Sequence, residues 1–160
     1  MVQEASWASL RDRLAYGFLD AAHCLSAMLP AAAAGQDQIG IALQTPLVLS
    51  QNHAFISLSQ ALCFELNLQP EDSAVASAQK VIGAIQQGQQ LNFAHVFKHS
   101  IHHYCLREWL ALADPQVAHT IQLSTLPPPF MVEALHQGKI DGFCVGEPWN
   151  TQAEVVGIGH

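Results

Sequence analysis

The sequence predicts an α/β fold with a mostly parallel sheet and helices on both of its faces. Half of the 160 residues are hydrophobic and only 12% are charged, which is enough apolar material for one domain with a real core. Strand-like and helix-like patterns alternate through the second half of the chain, and right-handed crossovers between such segments give parallel strands. The stretch from Leu126 to Asn150, LPPPFMVEALHQGKIDGFCVGEPWN, reads as a complete strand-loop-helix-strand-loop unit by itself.

That stretch organises the rest. Thr120 to Thr125 alternates and is β-prone, and Pro127, Pro128 and Pro129 then stop the strand and preset φ for a helix beginning near the last of them. Met131, Ala134 and Leu135 recur at helical spacing, and Gly138 stands where a left-handed residue would end the helix. Ile140, Phe143 and Val145 with small residues between them read as a buried strand. Asp141 lies near its start, and Gly146-Glu147-Pro148-Trp149 lies at its carboxyl end, where open α/β sheets bind ligands.

From the N-terminus, Trp7 follows Ser6 at a helix start. Leu10 and Leu14 form the apolar stripe, Arg11, Asp12 and Arg13 face water, and Gly17 closes the helix. Phe18 to His23 reads as a strand and Ser26 to Ala34 as a second helix ended by Gly35. Here the chain echoes itself. Leu14 to Ala21 and Leu135 to Gly142 share one pattern: helix end, glycine, one residue, aliphatic, aspartate, small residue. The equivalent placing of Asp20 and Asp141 marks them as turn or cap residues rather than an acid-base pair. Pro46 to Ser59 should supply one or two strands, with Gln51-Asn52 as the turn. Ala61 to Leu66 reads as a helical turn and Gln69 to Gln90 as an amphipathic helix running into a polar linker. Leu91 to Phe97 is a strand, and Ile101 to Ala113 a helix that ends before Pro115.

Composition excludes several function classes. The net charge of −7, from 13 acids against 6 bases with no basic cluster, argues against a nucleic-acid surface. No apolar run approaches the roughly 20 residues of a membrane span. The N-terminus shows no secretory signal, so the expected location is cytoplasmic, or periplasmic if a signal-bearing segment precedes Met1. Cys24, Cys63, Cys105 and Cys144 are far apart and in apolar contexts, and read as buried thiols of a reduced compartment. His99 and His103 could share a helix face and hold a metal, but no third zinc ligand stands at a recognisable spacing. No nucleophile-base pair is visible, which argues against catalysis, and no cofactor is expected.

Several stretches together resemble the nitrate- and bicarbonate-binding proteins of ABC importers and their cytoplasmic relative, the nitrate sensor that partners an antiterminator. The resemblance rests on Glu4-Ala5-Ser6-Trp7 with Leu10-Arg11-Asp12, and on Leu19-Asp20-Ala21-Ala22-His23. It continues with His102, Arg107 and Trp109-Leu110-Ala111, and with Pro127-Pro128-Pro129 through Asp141-Gly142-Phe143-Cys144-Val145-Gly146-Glu147-Pro148-Trp149-Asn150. It implies a two-lobed, periplasmic-binding-protein-like fold of type 2, incomplete at both ends. Residues 1–60 would form a partial first lobe, 61–150 the second lobe, and 151–160 a return toward the first.

By the same resemblance, Trp7 and His102 contact one small anion, with Gly146 and Glu147 on the loop beside it. A planar, weakly hydrated monoanion wants several fixed neutral or mildly positive donors, which an indole, an imidazole and free helix amides supply. Glu147 would repel an anion, so it is expected to orient a donor or bind the hinge. Arg107, four residues from His103, is expected to be solvated or inter-lobe rather than an anion ligand. An amide-bearing site residue of the family falls near Ala54, where this chain has no amide, and a family lysine lies beyond His160. The resemblance implies binding of nitrate or nitrite for cytoplasmic sensing with an antiterminator partner. The alternative is a substrate-binding component working with an ABC permease. Uncovered apolar surface would make the chain self-associate, and light scattering at micromolar concentration checks this.

Overall fold

The computed structural model describes residues 2–36, 43–49 and 53–160. The chain divides into two compact units, Met1–Gln51 with His99–Ile101, and Asn52–Lys98 with His102–His160.

In the first unit, helix α1 spans Trp7–Ala15. It starts where expected because the Ser6 hydroxyl accepts from the Ser9 amide at 3.1 Å, satisfying one of the free donors of a helix start. Glu4 holds the same turn, accepting from the Ser9 hydroxyl and pairing with Arg13 at 2.9 Å. Arg13 is therefore tied down rather than simply solvated. Helix α2 spans Met28–Ala33 and buries Met28, Ala31 and Ala32.

The strand expected over Phe18 to His23 does not form. A strand exists through its ladder, and none of the described residues pairs with this segment. The internal echo is real at the helix ends. Gly17 (φ 73°) and Gly138 (φ 64°) both take the left-handed conformation, and the next residue reaches back identically, Phe18 to Arg13 at 2.8 Å and Lys139 to Ala134 at 2.9 Å. The repeated pattern thus encodes a helix-ending motif, and a strand follows only the second copy.

The second unit is built on a four-stranded sheet of order β1-β4-β2-β3, comprising β1 (Ala54–Leu58), β2 (Phe93–His95), β3 (Leu123–Thr125) and β4 (Gly142–Gly146). β4 runs parallel to β2, and β2 parallel to β3, as expected, while β1 joins antiparallel to β4. Of the strands expected over Pro46 to Ser59 only β1 is seen; residues 43–49 carry none, and the Gln51-Asn52 turn lies outside the described residues. β1 belongs to this sheet, and the compact units divide ahead of it, between Gln51 and Asn52. Residues 158–160 likewise pack on β1 within the second unit, through a Ser59–Gly159 bridge and paired Leu58–His160 hydrogen bonds of 2.7 and 3.0 Å.

Helices α3 (Gln60–Glu65), α4 (Ala74–Gln86), α5 (Ile101–Ala111), α6 (Pro115–Thr120), α7 (Met131–His136) and α8 (Trp149–Val155) complete the chain, with a 3-10 turn at Pro128–Phe130 where the proline run was expected to launch a helix. α6 was not expected, since Pro115 reads as a stop. The same proline opens a new helix because the Asp114 carboxylate accepts from the amides of Gln116 and Val117 at 2.9 and 3.1 Å. α4 starts at Ser73, not at Pro70, for the same capping reason.

The core gathers Val81, Ile82, Phe93, Leu106 and Leu110, and Trp109 closes it, edge-on to Phe93 at 6.0 Å with its indole N–H donating to Ser77 at 3.1 Å. All five residues of β4 are buried. Asp141 is structural, as expected, its carboxylate accepting from the Asn92 amide at 2.7 Å. Gly142 tolerates no side chain: a Cβ there would stand 2.7 Å from Leu58 Cδ2 and 2.9 Å from the Ser57 carbonyl oxygen. Gly142→Ala should therefore destabilise the second unit by about 1–3 kcal/mol, the usual cost of overpacking. Urea denaturation checks this against Gly83→Ala, where the same probe meets nothing within 4 Å.

Candidate functional site

β2 and β4 run parallel, so their carboxyl ends lie at the same end of the sheet. At the end of β4, Gly146 is buried and stands opposite Ala54, the first residue of β1. Ala54 is therefore at the register position beside Gly146. Glu147 is exposed, and its carboxylate accepts from the Thr151 amide at 3.1 Å. It serves the free N–H groups and positive end of α8. Asn150 fixes α8 to β1 by donating to Ser57 Oγ at 2.9 Å and the Phe55 carbonyl at 3.2 Å.

Beyond the end of β2 the chain enters α5. His102 is in its first turn, where helix amides are free of internal partners, and is 7% exposed. Its Nδ1 is buried without a hydrogen-bond partner among the described residues. Burial holds its pKa below the ordinary histidine range, so the ring is neutral at neutral pH and offers one donor and one acceptor. Trp7 is the first residue of α1 in the first unit, half-buried, with its ring edge-on to His23 at 5.9 Å. The structure thus puts Gly146 and Glu147 on one loop, His102 in a neighbouring helix of the same unit, and Trp7 in the other unit.

Arg107 is only partly solvated. It is half-buried, and its Nη1 donates to the Ala118 carbonyl, tying α5 to α6. His99 precedes α5 rather than sharing its face with His103. Among the described residues no group of three His, Cys, Asp or Glu is placed to hold a metal ion. The four cysteines are free, but only Cys144 is fully buried; burial raises the thiol pKa at each of them.

A further grouping was not legible in the sequence. His95, His103 and Arg107 share a cavity with Lys98 and His119, drawn from segments up to two dozen positions apart, and no spacing rule links them. The rings of His95 and His103 stand edge-on at 4.6 Å. His95 is 2% exposed, and burial first, then the charge of His103, pushes its pKa down to about 4.

His95 is neutral in the folded protein where an unfolded chain would protonate it. Above the ordinary value of 6.5 both states are neutral and pH has no effect through this group. Below it the unfolded state binds the extra proton, so stability falls as pH drops toward 4, by about 3 kcal/mol in all for a shift of this size. Denaturation curves between pH 7 and 4 should show this loss, and His95→Gln should flatten it.

The whole chain, residues 1–160, matches the NMT1-like family. It is 33% identical over 167 aligned residues to the bicarbonate transport ATP-binding protein CmpC of Synechococcus elongatus, covering 99% of this chain and 23% of that protein. It is 31% identical to the nitrate/nitrite binding protein NrtA of Nostoc, covering 100% of this chain and 36% of that one. The crystal structure of the periplasmic nitrate-binding protein NrtA from Synechocystis superposes with a TM-score of 0.80 at 25% identity, over 99% of this chain and 41% of that chain. The chain thus spans less than half the length of each of these relatives. The match over its full length and the shared architecture establish that this chain belongs to the NMT1-like family and carries part of a two-lobed, periplasmic-binding-protein-like α/β fold.

Proposed function

We propose that this segment is a non-enzymatic recognition module for a small oxyanion, nitrate, nitrite or bicarbonate, working with an ABC import system. The observation that carries this reading is His102: a buried imidazole nitrogen with no partner among the described residues, in the first turn of an 11-residue helix. A buried polar atom without a partner is costly, and an oxyanion accepting from the imidazole and the free amides of α5 would satisfy it. The names of the relatives supply the ligand class. The ATP-binding name of CmpC does not transfer, because this sequence contains no G-x-x-x-x-G-K-[ST] phosphate loop.

Trp7, Gly146 and Glu147 take the supporting roles: an indole donor, a side-chain-free position at the end of β4, and a carboxylate held by α8. Four free cysteines favour a second reading of the same module, a cytoplasmic nitrate sensor partnering an antiterminator, because such thiols persist in a reducing compartment. An antiterminator gene beside this one would support the sensor, and permease and ATPase genes the importer.

Calorimetry with nitrate, nitrite and bicarbonate tests the core proposal. Saturable binding of one of them is expected, weakened by about 1.5–3 kcal/mol in His102→Ala and also weakened in Trp7→Phe. Because burial depresses the His102 pKa, affinity should be flat above pH 7 and rise only as pH falls below the ordinary histidine range, a rise that His102→Ala removes. Binding indifferent to both substitutions sinks the assignment of the site. Ala54→Gln, which places an amide at the position beside Gly146, should strengthen binding by about 1 kcal/mol.

A further inference from the structure

The second unit carries a concentration of positive charge that the proposed oxyanion site does not use. A cavity of about 370 Å³ lies along α5, the end of α6 and β3, with Lys98, Arg107, His103 and His119 on its walls and no carboxylate among its lining residues. In a chain with 6 basic residues and a net charge of −7, this is a marked local inversion. Arg11, Arg13 and Lys80 are each in an ion pair with an acid. Lys98 and Arg107 have no such partner among the described residues, and both face this cavity.

The field is felt inside the protein, since the charges of His103 and Arg107 both oppose protonation of His95 at the cavity floor. Arg107 is also pre-set: the bond from its Nη1 to the Ala118 carbonyl fixes the guanidinium plane and leaves its other N–H groups to donate. Gln122 and Thr125 add neutral hydrogen-bonding groups at the rim.

We propose that this groove is a second anion site, and that it takes a phosphate monoester of a small organic metabolite. Two permanent cations suit a dianion, whereas a monoanion such as nitrate is better served by neutral donors. The volume falls in the range of sites for organic ligands, roughly 300–1,000 Å³, and far exceeds a single nitrate. An arginine with a free fork beside a lysine is the pairing that phosphate oxygens use. His103 and His102 are neighbours on α5 and point about 100° apart, so the two anions would occupy different faces of one helix. That places the groove where its occupant can bias the oxyanion site through α5.

The test is calorimetry on the whole chain with inorganic phosphate, glycerol 3-phosphate, succinate and nitrate. Inorganic phosphate and glycerol 3-phosphate should compete for one site, glycerol 3-phosphate the tighter. Lys98→Gln and Thr120→Glu, both at exposed positions, should each weaken binding about tenfold, the worth of one charge-assisted hydrogen bond. Arg107→Gln should do so at least as strongly, with urea denaturation checking that the α5–α6 tie is not the cause. Excess nitrate should leave phosphate binding intact. No saturable binding of either phosphate, binding indifferent to Lys98→Gln and Thr120→Glu, displacement by nitrate at equal concentration, or succinate binding as tightly as glycerol 3-phosphate would each overturn the proposal.

Discussion

β4 is paired along both of its edges, to β1 on one side and β2 on the other, and every residue in it is buried. The other arrangements of the second unit follow from that constraint. A strand closed on both sides and both faces has to consist of small and apolar residues, and Gly-Phe-Cys-Val-Gly meets the requirement. The glycine at its start lets Leu58 and Phe93 approach, and the glycine at its end stands opposite Ala54. Shifting β4 by one residue would send Phe143 to the opposite face and move the Gly146-Glu147 turn with it.

The position of the candidate site is a product of this register. Its residues are not adjacent in sequence. Gly146 arrives at the end of β4, and His102 arrives at the start of the helix that follows β2, so parallel pairing carries both to the same end of the sheet. Glu147, on the same loop as Gly146, accepts from the Thr151 amide and so faces the positive end of α8.

What could be read in the sequence was set by how local the physics is. The α7 unit, with its prolines, its glycine cap and Asp141, was legible because each signal acts within a turn or two of itself. The capped start of α1 at Ser6 was legible for the same reason. Phe18 to His23 misled because a strand is defined by a distant partner, and β-formers alone do not supply one. Pro115 misled because a proline that ends one helix can begin the next, and Asp114 decides which. The antiparallel entry of β1 and the gathering of Lys98, Arg107 and three histidines depend on contacts across the fold, which no periodicity encodes. Of the candidate site residues, the stretch around Gly146 was marked by its place at a strand end, whereas Trp7 and His102 were marked by family resemblance alone.

The bridge between Ser59 and Gly159, with Leu58 and His160 exchanging hydrogen bonds beside it, has a topological consequence. The roughly one hundred residues between Leu58 and His160 thus begin and end on two neighbouring, oppositely directed threads, a doorway two strands wide. A body attached in this way can be spliced into a host polypeptide without stretching the host, because the host sees only a short gap between entry and exit. A doorway of this kind makes such portability physically inexpensive.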